Sequence, residues 1–272
     1  MPLISSEVPY RWRDLEKSVA AILAECGMAV QGRDPLNLPR GHVRVDVLAE
    51  DTVEGITHRI ICECKNWKRN VPQEKVHAFR TVMIETGANR GYIISSRGFQ
   101  AGAFEAAVAT NIELVTYEQF QELYFTKWFN RRIRAVEDAI GNVNVYYEPG
   151  PWAPPGRNLL TSDAQRAEYD AVWAKHYFVG ALLTPFSPYL RMMGSYPPPA
   201  LPMDVSMIEE AGFVVPDDIK QATGYREILA LLEEYARVAL TELRAVNPRQ
   251  NGSLGVEQTE ELDAPMPRPN PE

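Results

Sequence analysis

Apolar residues in the first half of the chain recur with two spacings, one typical of helices and one typical of strands. Positions three and four residues apart, together with a short alanine-rich segment, predict helices over residues 11–26, 73–86, 99–109 and 118–140. Short apolar runs predict strands over residues 28–31, 43–48, 60–65, 91–95 and 112–115, with a polar turn at 50–55. Because strands and helices alternate, we expect an α/β fold with a central mixed sheet flanked by helices.

The second half of the chain has a different pattern. Proline and glycine are frequent in residues 148–156, and proline recurs between residues 185 and 202. Helices are predicted over residues 162–183 and 225–246, the second with an apolar face formed by Ile228, Leu231, Leu232, Tyr235 and Val238. The last residues are polar, acidic and rich in proline, which predicts disorder. We therefore expect a folded domain at 1–140, a mainly helical, proline-rich accessory region at 141–246 and a disordered acidic tail at 247–272.

Three charged residues interrupt the apolar pattern of two neighbouring strands. Side chains alternate between the faces of a strand, so Glu63 and Lys65 share one face while Cys62 and Cys64 take the other. If the two strands pair with their polar faces matched, Asp46 on the first strand meets Glu63 and Lys65. Two carboxylates beside an ammonium can hold a hard divalent cation and activate a water molecule, which is typical of a nuclease. The alternative is a solvated polar face without chemistry.

A basic and aromatic segment, Trp67-Lys68-Arg69, directly follows the second of these strands. Lysine and arginine bind backbone phosphates and an indole can stack on a base, so this loop is a candidate contact with nucleic acid. The alternative is an exposed loop that is anchored by one tryptophan.

The composition indicates the class of protein but says little about its activity. The net charge is −8, and the first 125 residues hold 14 lysines and arginines against 16 aspartates and glutamates. This argues weakly against tight, static binding to nucleic acid, since a local basic patch decides phosphate contact. The three cysteines do not form a disulfide framework, and we expect them in the core. No signal peptide is recognisable and the apolar run at 177–190 contains two prolines, so we expect a cytoplasmic protein without a membrane span.

Several short segments carry a resemblance to a known family. The principal ones are Asp14-Leu15-Glu16 in the first helix, Val45-Asp46-Val47-Leu48, and Ile61-Cys62-Glu63-Cys64-Lys65-Asn66-Trp67. Together with the next helix, the strand Gly91-Tyr92-Ile93-Ile94-Ser95-Ser96 and the segment Phe99-Gln100-Ala101-Gly102-Ala103, they make residues 11–123 resemble the Mrr-like restriction endonucleases of the PD-(D/E)xK nuclease superfamily. Two features depart from the family pattern: Arg40-Gly41-His42-Val43-Arg44-Val45 replaces a glycine-rich approach, and Glu63 stands where many members have glutamine.

The resemblance implies a restriction-endonuclease-like core and a set of site residues. Asp46 and Glu63 would hold one or two Mg²⁺ ions, for which Mn²⁺ can substitute, with the backbone carbonyl of Cys64 as a further ligand. Lys65 would orient or help deprotonate the attacking water, or stabilise the charge that develops on the phosphate. Two further side chains have supporting roles: Glu16 would complete the acidic cluster, and Gln73 would contact the metal-bound water or the scissile phosphate.

From this resemblance we expect a Mg²⁺-dependent DNA endonuclease that acts in bacterial restriction or antiphage defence. Cutting both strands of a duplex calls for two active sites, so a homodimer is the natural arrangement. The C-terminal region would then mediate dimerisation, bind a partner protein or sense an activating ligand. Two alternatives stay open: a nuclease-fold subunit that binds with little or no catalysis, and a nuclease that acts on DNA junctions or in repair.

Overall fold

The computed structural model describes residues 3–32, 35–38, 41–141, 143–147, 154–186 and 197–251. Two of the sequence predictions, the proline-rich segments, fall partly outside these residues, and the predicted tail lies almost wholly outside them. The chain divides into two compact units. Unit 1 comprises residues 1–135 and 223–227, and unit 2 comprises residues 136–222 and 228–272.

Unit 1 is built on a five-stranded mixed sheet. Its described strands are β1 (Ala29–Gln31), β2 (Leu36–Leu38), β3 (Gly41–Val43), β4 (Val47–Val53), β5 (Ile56–Lys65), β6 (Arg90–Ser95) and β7 (Ile112–Thr116). The order in the sheet is β1-β4-β5-β6-β7, with antiparallel pairs at β1/β4 and β4/β5 and parallel pairs at β5/β6 and β6/β7. The helices are α1 (Trp12–Glu25), α2 (Gln73–Thr86), α3 (Ala101–Ala107) and α4 (Tyr117–Ile140). The predicted α/β fold class is therefore confirmed.

Helices cover the sheet closely, which explains why its central strands are buried on both faces. On one face Ile61 and Ile93 pack with Phe79 and Met83 of α2 in a single core cluster. Gly91 permits this close packing, because a Cβ at that position would lie 2.5 Å from the Met83 sulfur and 2.7 Å from a Phe79 ring carbon. All three cysteines are free and buried, as predicted.

The two strands that carry the charged residues differ from their predicted bounds. β4 begins at Val47 and continues through the predicted polar turn, so Asp46 lies just before the strand instead of within it. The connection is a tight hairpin at Glu54 and Gly55, whose φ angles are +51° and +82°. Positive φ at both central residues is typical of the type I′ turn, which matches the twist of paired strands and needs only two residues. Val43 belongs to a separate small hairpin formed by β2 and β3.

All secondary structure in the described residues of unit 2 is helical. It contains α5 (Asp163–Lys175), α6 (Tyr177–Leu183), α7 (Ser206–Glu210), α8 (Asp217–Gln221) and most of α9 (Tyr225–Val246), with short 3-10 segments at Val143–Tyr146, Arg157–Leu159 and Thr184–Phe186. The helix predicted over residues 162–183 is two helices, because His176 leaves helical geometry with φ −106° and ψ 9°. Its buried ring lies 2.9 Å from Glu242 Oε2.

The predicted apolar face of α9 is partly wrong. Its buried residues are Tyr225, Ile228, Leu229, Leu232, Ala236, Ala239, Leu240 and Leu243. Leu231, Tyr235 and Val238 instead line an open pocket of about 620 Å³ within unit 2. Helix α9 carries apolar residues on more than one face, so spacing alone cannot identify the buried stripe. In the described part of the chain, no helix is both long and apolar enough to cross a membrane.

Candidate active site

Asp46 is held against the strand that bears the Glu-x-Lys element. The antiparallel register pairs Val47 with Cys62, which places Asp46 beside the next residue along β5. Its Oδ2 accepts a hydrogen bond of 2.8 Å from the backbone N–H of Cys64. A charge-assisted bond of this kind fixes the carboxylate in position.

Glu63 and Lys65 form an ion pair at the carboxyl end of β5. Their side chains retain 26% and 16% exposure, so the pair is half-buried. The Lys65 ammonium also lies 5.4 Å from the centroid of the Trp67 ring. The predicted convergence on one face therefore occurs, with Lys65 between a carboxylate and an aromatic face.

Glu16 approaches the same place from the first helix. Helix α1 packs against both β4 and β5. Burial is the largest cause that raises the pKa of the Cys64 thiol, followed by the charges of Cys62, Asp46, Glu16 and Glu63. The charges of all three carboxylates are therefore felt at one residue. Because the Cys64 thiol is buried, a metal contact at this residue would use its backbone carbonyl.

The donor set fits a cation that needs few protein ligands. Carboxylate and carbonyl oxygens suit Mg²⁺ and Mn²⁺, and Mg²⁺ usually takes one or two carboxylates and keeps several waters. Within the described residues, no three side chains from His, Cys, Asp and Glu are arranged as a metal cluster. The observed contacts explain this, because Glu63 pairs with Lys65 and Asp46 accepts the Cys64 N–H. The residues thus fit Mg²⁺ bound through Asp46, Glu63 and the Cys64 carbonyl better than an all-protein cage.

Gln73 lies at the exposed start of α2, and its side chain packs against α3. A Cβ on Gly102 would stand 2.7 Å from the Gln73 amide oxygen. Among the contacts of the described residues, none joins Gln73 to Asp46, Glu63 or Lys65. The structure thus brings four of the five predicted catalytic residues together and places Gln73 against another helix.

The loop after β5 is anchored at both ends. The Asn66 amide donates to the Tyr10 carbonyl at 2.9 Å, and the Val71 N–H donates to the Gly98 carbonyl at 3.0 Å. Between these anchors Trp67 is half-buried, while Lys68 and Arg69 are exposed. The side chains therefore stand on a fixed backbone beside the Glu63–Lys65 pair.

Lys75, which the sequence analysis did not single out, also belongs to this surface. Its ammonium lies 5.9 Å from the centroid of the same Trp67 ring that Lys65 approaches. From the sequence, Lys75 could have been found only by its position in the first turn of the helix that follows the Glu-x-Lys element. That signal is weak, because exposed lysines in the first turn of a helix are common.

A mixed sheet flanked by helices, with acidic residues and a lysine at the end of a central strand, is the architecture of a restriction-endonuclease-like domain. Residues 9–124 match the family model Mrr_cat, which is described as a restriction endonuclease. The match agrees with the resemblance of this part of the chain to the Mrr-like restriction endonucleases that its sequence motifs indicated.

Other comparisons add little. None of the curated proteins matches the chain significantly. A crystal structure described as a protein of unknown function, AF1548, is 13% identical, with 89% of this chain and 98% of that chain covered. Its TM-score of 0.35 is too low to inform either fold or function.

Proposed function

We propose that this protein is a Mg²⁺-dependent DNA endonuclease that hydrolyses phosphodiester bonds. The observation that carries the proposal is the convergence of Asp46, Glu63, Glu16 and Lys65 around Cys64. It lies within the segment that matches the restriction endonuclease family. Half-buried acids that lie together at one strand end lower the stability of the fold. Such destabilising groups are typical of functional sites.

Each residue has a part that follows from its contacts. Asp46, oriented by the Cys64 N–H, would bind the ion together with Glu63 and the Cys64 carbonyl. The same ligands would bind Mn²⁺. The ion would polarise the phosphate and lower the pKa of a bound water. Lys65 would donate a hydrogen bond to the attacking water or to the phosphate oxygen on which charge develops.

The remaining residues would support substrate and metal. Glu16 would accept hydrogen bonds from waters at the acidic cluster, and Gln73 would reach the scissile phosphate from the exposed start of α2. Lys68 and Arg69 would contact backbone phosphates flanking the cut, with Trp67 at the edge of the site. Contacts of this kind set the position of DNA and carry no base specificity.

The biological setting we propose is bacterial restriction or antiphage defence in the cytoplasm. Three free, buried cysteines suit a reducing compartment. A homodimer would supply the two active sites needed to cut both strands. Unit 2 would mediate dimerisation or bind a partner protein or activating ligand, for which its pocket of about 620 Å³ has a suitable size.

A second candidate is a nuclease-fold subunit that binds DNA or a partner protein without cutting. The absence of a preformed group of three metal-binding side chains in the described residues favours it, as does the net charge of −8. Because the fold also occurs without catalysis, the two candidates must be separated by activity and metal binding.

The test is cleavage of supercoiled, linear, single-stranded and branched DNA with Mg²⁺ or Mn²⁺ by the wild type, Lys65→Ala and Lys17→Ala. Lys17 is an exposed lysine of α1 and serves as the matched control. We expect the wild type and Lys17→Ala to cut, and Lys65→Ala to lose about 100-fold or more of the rate. Cutting confined to branched DNA would indicate a junction or repair nuclease instead.

If no substrate is cut, calorimetry with Mg²⁺ and Mn²⁺ on the wild type and Asp46→Asn distinguishes the candidates. Metal binding that depends on Asp46 would keep the nuclease proposal and point to a missing activator. No metal binding by the wild type would support the non-catalytic subunit.

A further inference from the structure

The ring of Trp67 is approached by two ammonium groups from different elements of unit 1. Lys65 reaches it from the end of β5, with 5.4 Å between Nζ and the ring centroid, and Lys75 reaches it from α2, with 5.9 Å. Both distances lie within the range of cation–π attraction. The two lysines are ten positions apart in sequence, and both ammonium groups lie near the same ring.

The surroundings distinguish the two lysines. Lys65 pairs with Glu63, whereas Lys75 has no carboxylate partner among the described residues. Its side chain is exposed in the first turn of α2, where the positive end of the helix dipole increases the local positive potential. An unneutralised ammonium beside the acidic cluster is suited to an anion brought by the substrate.

The backbone that carries the ring is anchored. Trp67 is half-buried, its carbonyl accepts a hydrogen bond of 3.4 Å from Ser96 Oγ, and the Asn66 side chain anchors the preceding position. A fixed indole restricts two long, flexible side chains that would otherwise sample many rotamers. Two like charges near one ring also repel each other, so a bound anion lowers the energy.

We propose that Trp67 is a positioning residue that presents Lys65 and Lys75 together, so that two cations, not one, face the scissile phosphate. This inference rests on the proposed nuclease function and adds Lys75 to the residues that contact the substrate. It also assigns the Trp67 ring to the lysines, because a face approached by ammonium groups offers less surface to a base. Lys75 stabilises bound DNA, while Trp67 acts through both lysines.

The test compares Trp67→Phe, Trp67→Leu and Lys75→Gln with the wild type in cleavage kinetics over a series of salt concentrations. Phenylalanine keeps an aromatic face and leucine does not. The matched controls are Phe104→Leu, an exposed aromatic residue of α3, and Arg80→Gln, an exposed cation of α2. Thermal unfolding of every variant checks that the fold is retained.

We expect Trp67→Leu to lower kcat about three- to tenfold and to raise KM, while Trp67→Phe recovers most of the loss. Lys75→Gln raises KM about three- to tenfold with little change in kcat, and reduces the slope of log KM against log salt by about one. The two controls behave as the wild type. Equal losses in Trp67→Phe and Trp67→Leu, or an unchanged KM in Lys75→Gln, would overturn the proposal.

A second readout does not need cleavage. The ring current of an indole shifts the Hε resonances of a lysine that lies over its face, and Lys65→Arg and Lys75→Arg assign those resonances in the free protein. Both shifts should persist in Trp67→Phe and vanish in Trp67→Leu. If the wild type neither cuts DNA nor binds metal, the proposed function fails while the shifts still decide whether Trp67 holds the lysines. Shifts that are absent from the wild type overturn this inference even if the protein cuts DNA.

Discussion

Charged residues are placed differently in the two units. In unit 1 the side chains of Lys65 and Glu63 are 16% and 26% exposed, next to two further carboxylates. In unit 2 the comparable pair, Lys175 and Glu242, is 59% and 34% exposed. An exposed pair costs little and contributes little, whereas half-buried like charges are expensive to retain. The burial of its charged side chains, more than their number, therefore distinguishes the candidate site.

The largest effect is expected when one acid is neutralised in each unit, which tests whether only the half-buried acid matters for cleavage. Glu63→Gln should reduce DNA cleavage about 100-fold or more, because it would remove a proposed metal ligand and the partner of Lys65. Glu242→Gln should leave cleavage unchanged. Single-turnover kinetics with saturating Mg²⁺ measures both. Similar losses in the two variants would show that burial of charge does not identify the site.

The next effect concerns which face of α9 is buried. Leu232 has no exposed surface, and its replacement by alanine should cost about 2–5 kcal/mol of unfolding free energy through the cavity it leaves. Leu231 lines the pocket and is half-buried, so Leu231→Ala should cost about 1 kcal/mol or less. Urea denaturation of the two variants provides the measurement. Equal costs would mean that the pocket face is also covered.

The smallest effect is the pH dependence of the exposed pair in unit 2. Hydrogen bonds from Lys175, then from His176, lower the pKa of Glu242 below its ordinary value of 4.5. A carboxyl whose pKa is lowered by folding stabilises the protein above its ordinary pKa, and the contribution is lost as the pH falls through the folded-state value.

Glu242→Gln should therefore be less stable than the wild type at pH 7, by about 0.5–1 kcal/mol because solvent screens the pair. The difference should shrink below pH 4.5. Thermal unfolding from pH 3 to pH 8 (about the range where carboxyl groups and histidine titrate) tests this. Glu234→Gln, an exposed glutamate on the same helix, is the control and should show no such trend. A difference that grows towards low pH would contradict the assignment.

Much of unit 1 was predictable from local pattern. The bounds of α2 agree with the prediction at both ends, and those of α1, α4, β1, β6 and β7 agree within a residue or two. The buried cysteines and the shared face of Glu63 and Lys65 follow from strand alternation, which is a property of the backbone. The end of β4 and the start of β5 were missed, because a two-residue turn extends the hairpin beyond what the polar composition of residues 50–55 suggests.

The sequence by itself determined most of the helices and sheet strands of unit 1, and which residue types stand on the strand that ends in the site. These follow from side-chain spacing, capping and strand alternation, which act over a few residues. Only the tertiary structure decided that Asp46 binds the Cys64 N–H, that His176 divides a helix beside Glu242, and that α9 buries Leu232 and leaves Leu231 at a pocket. It alone brought Lys75 to Trp67. Such contacts join distant parts of the chain, so they depend on how helices and sheet pack together, which local spacing does not encode.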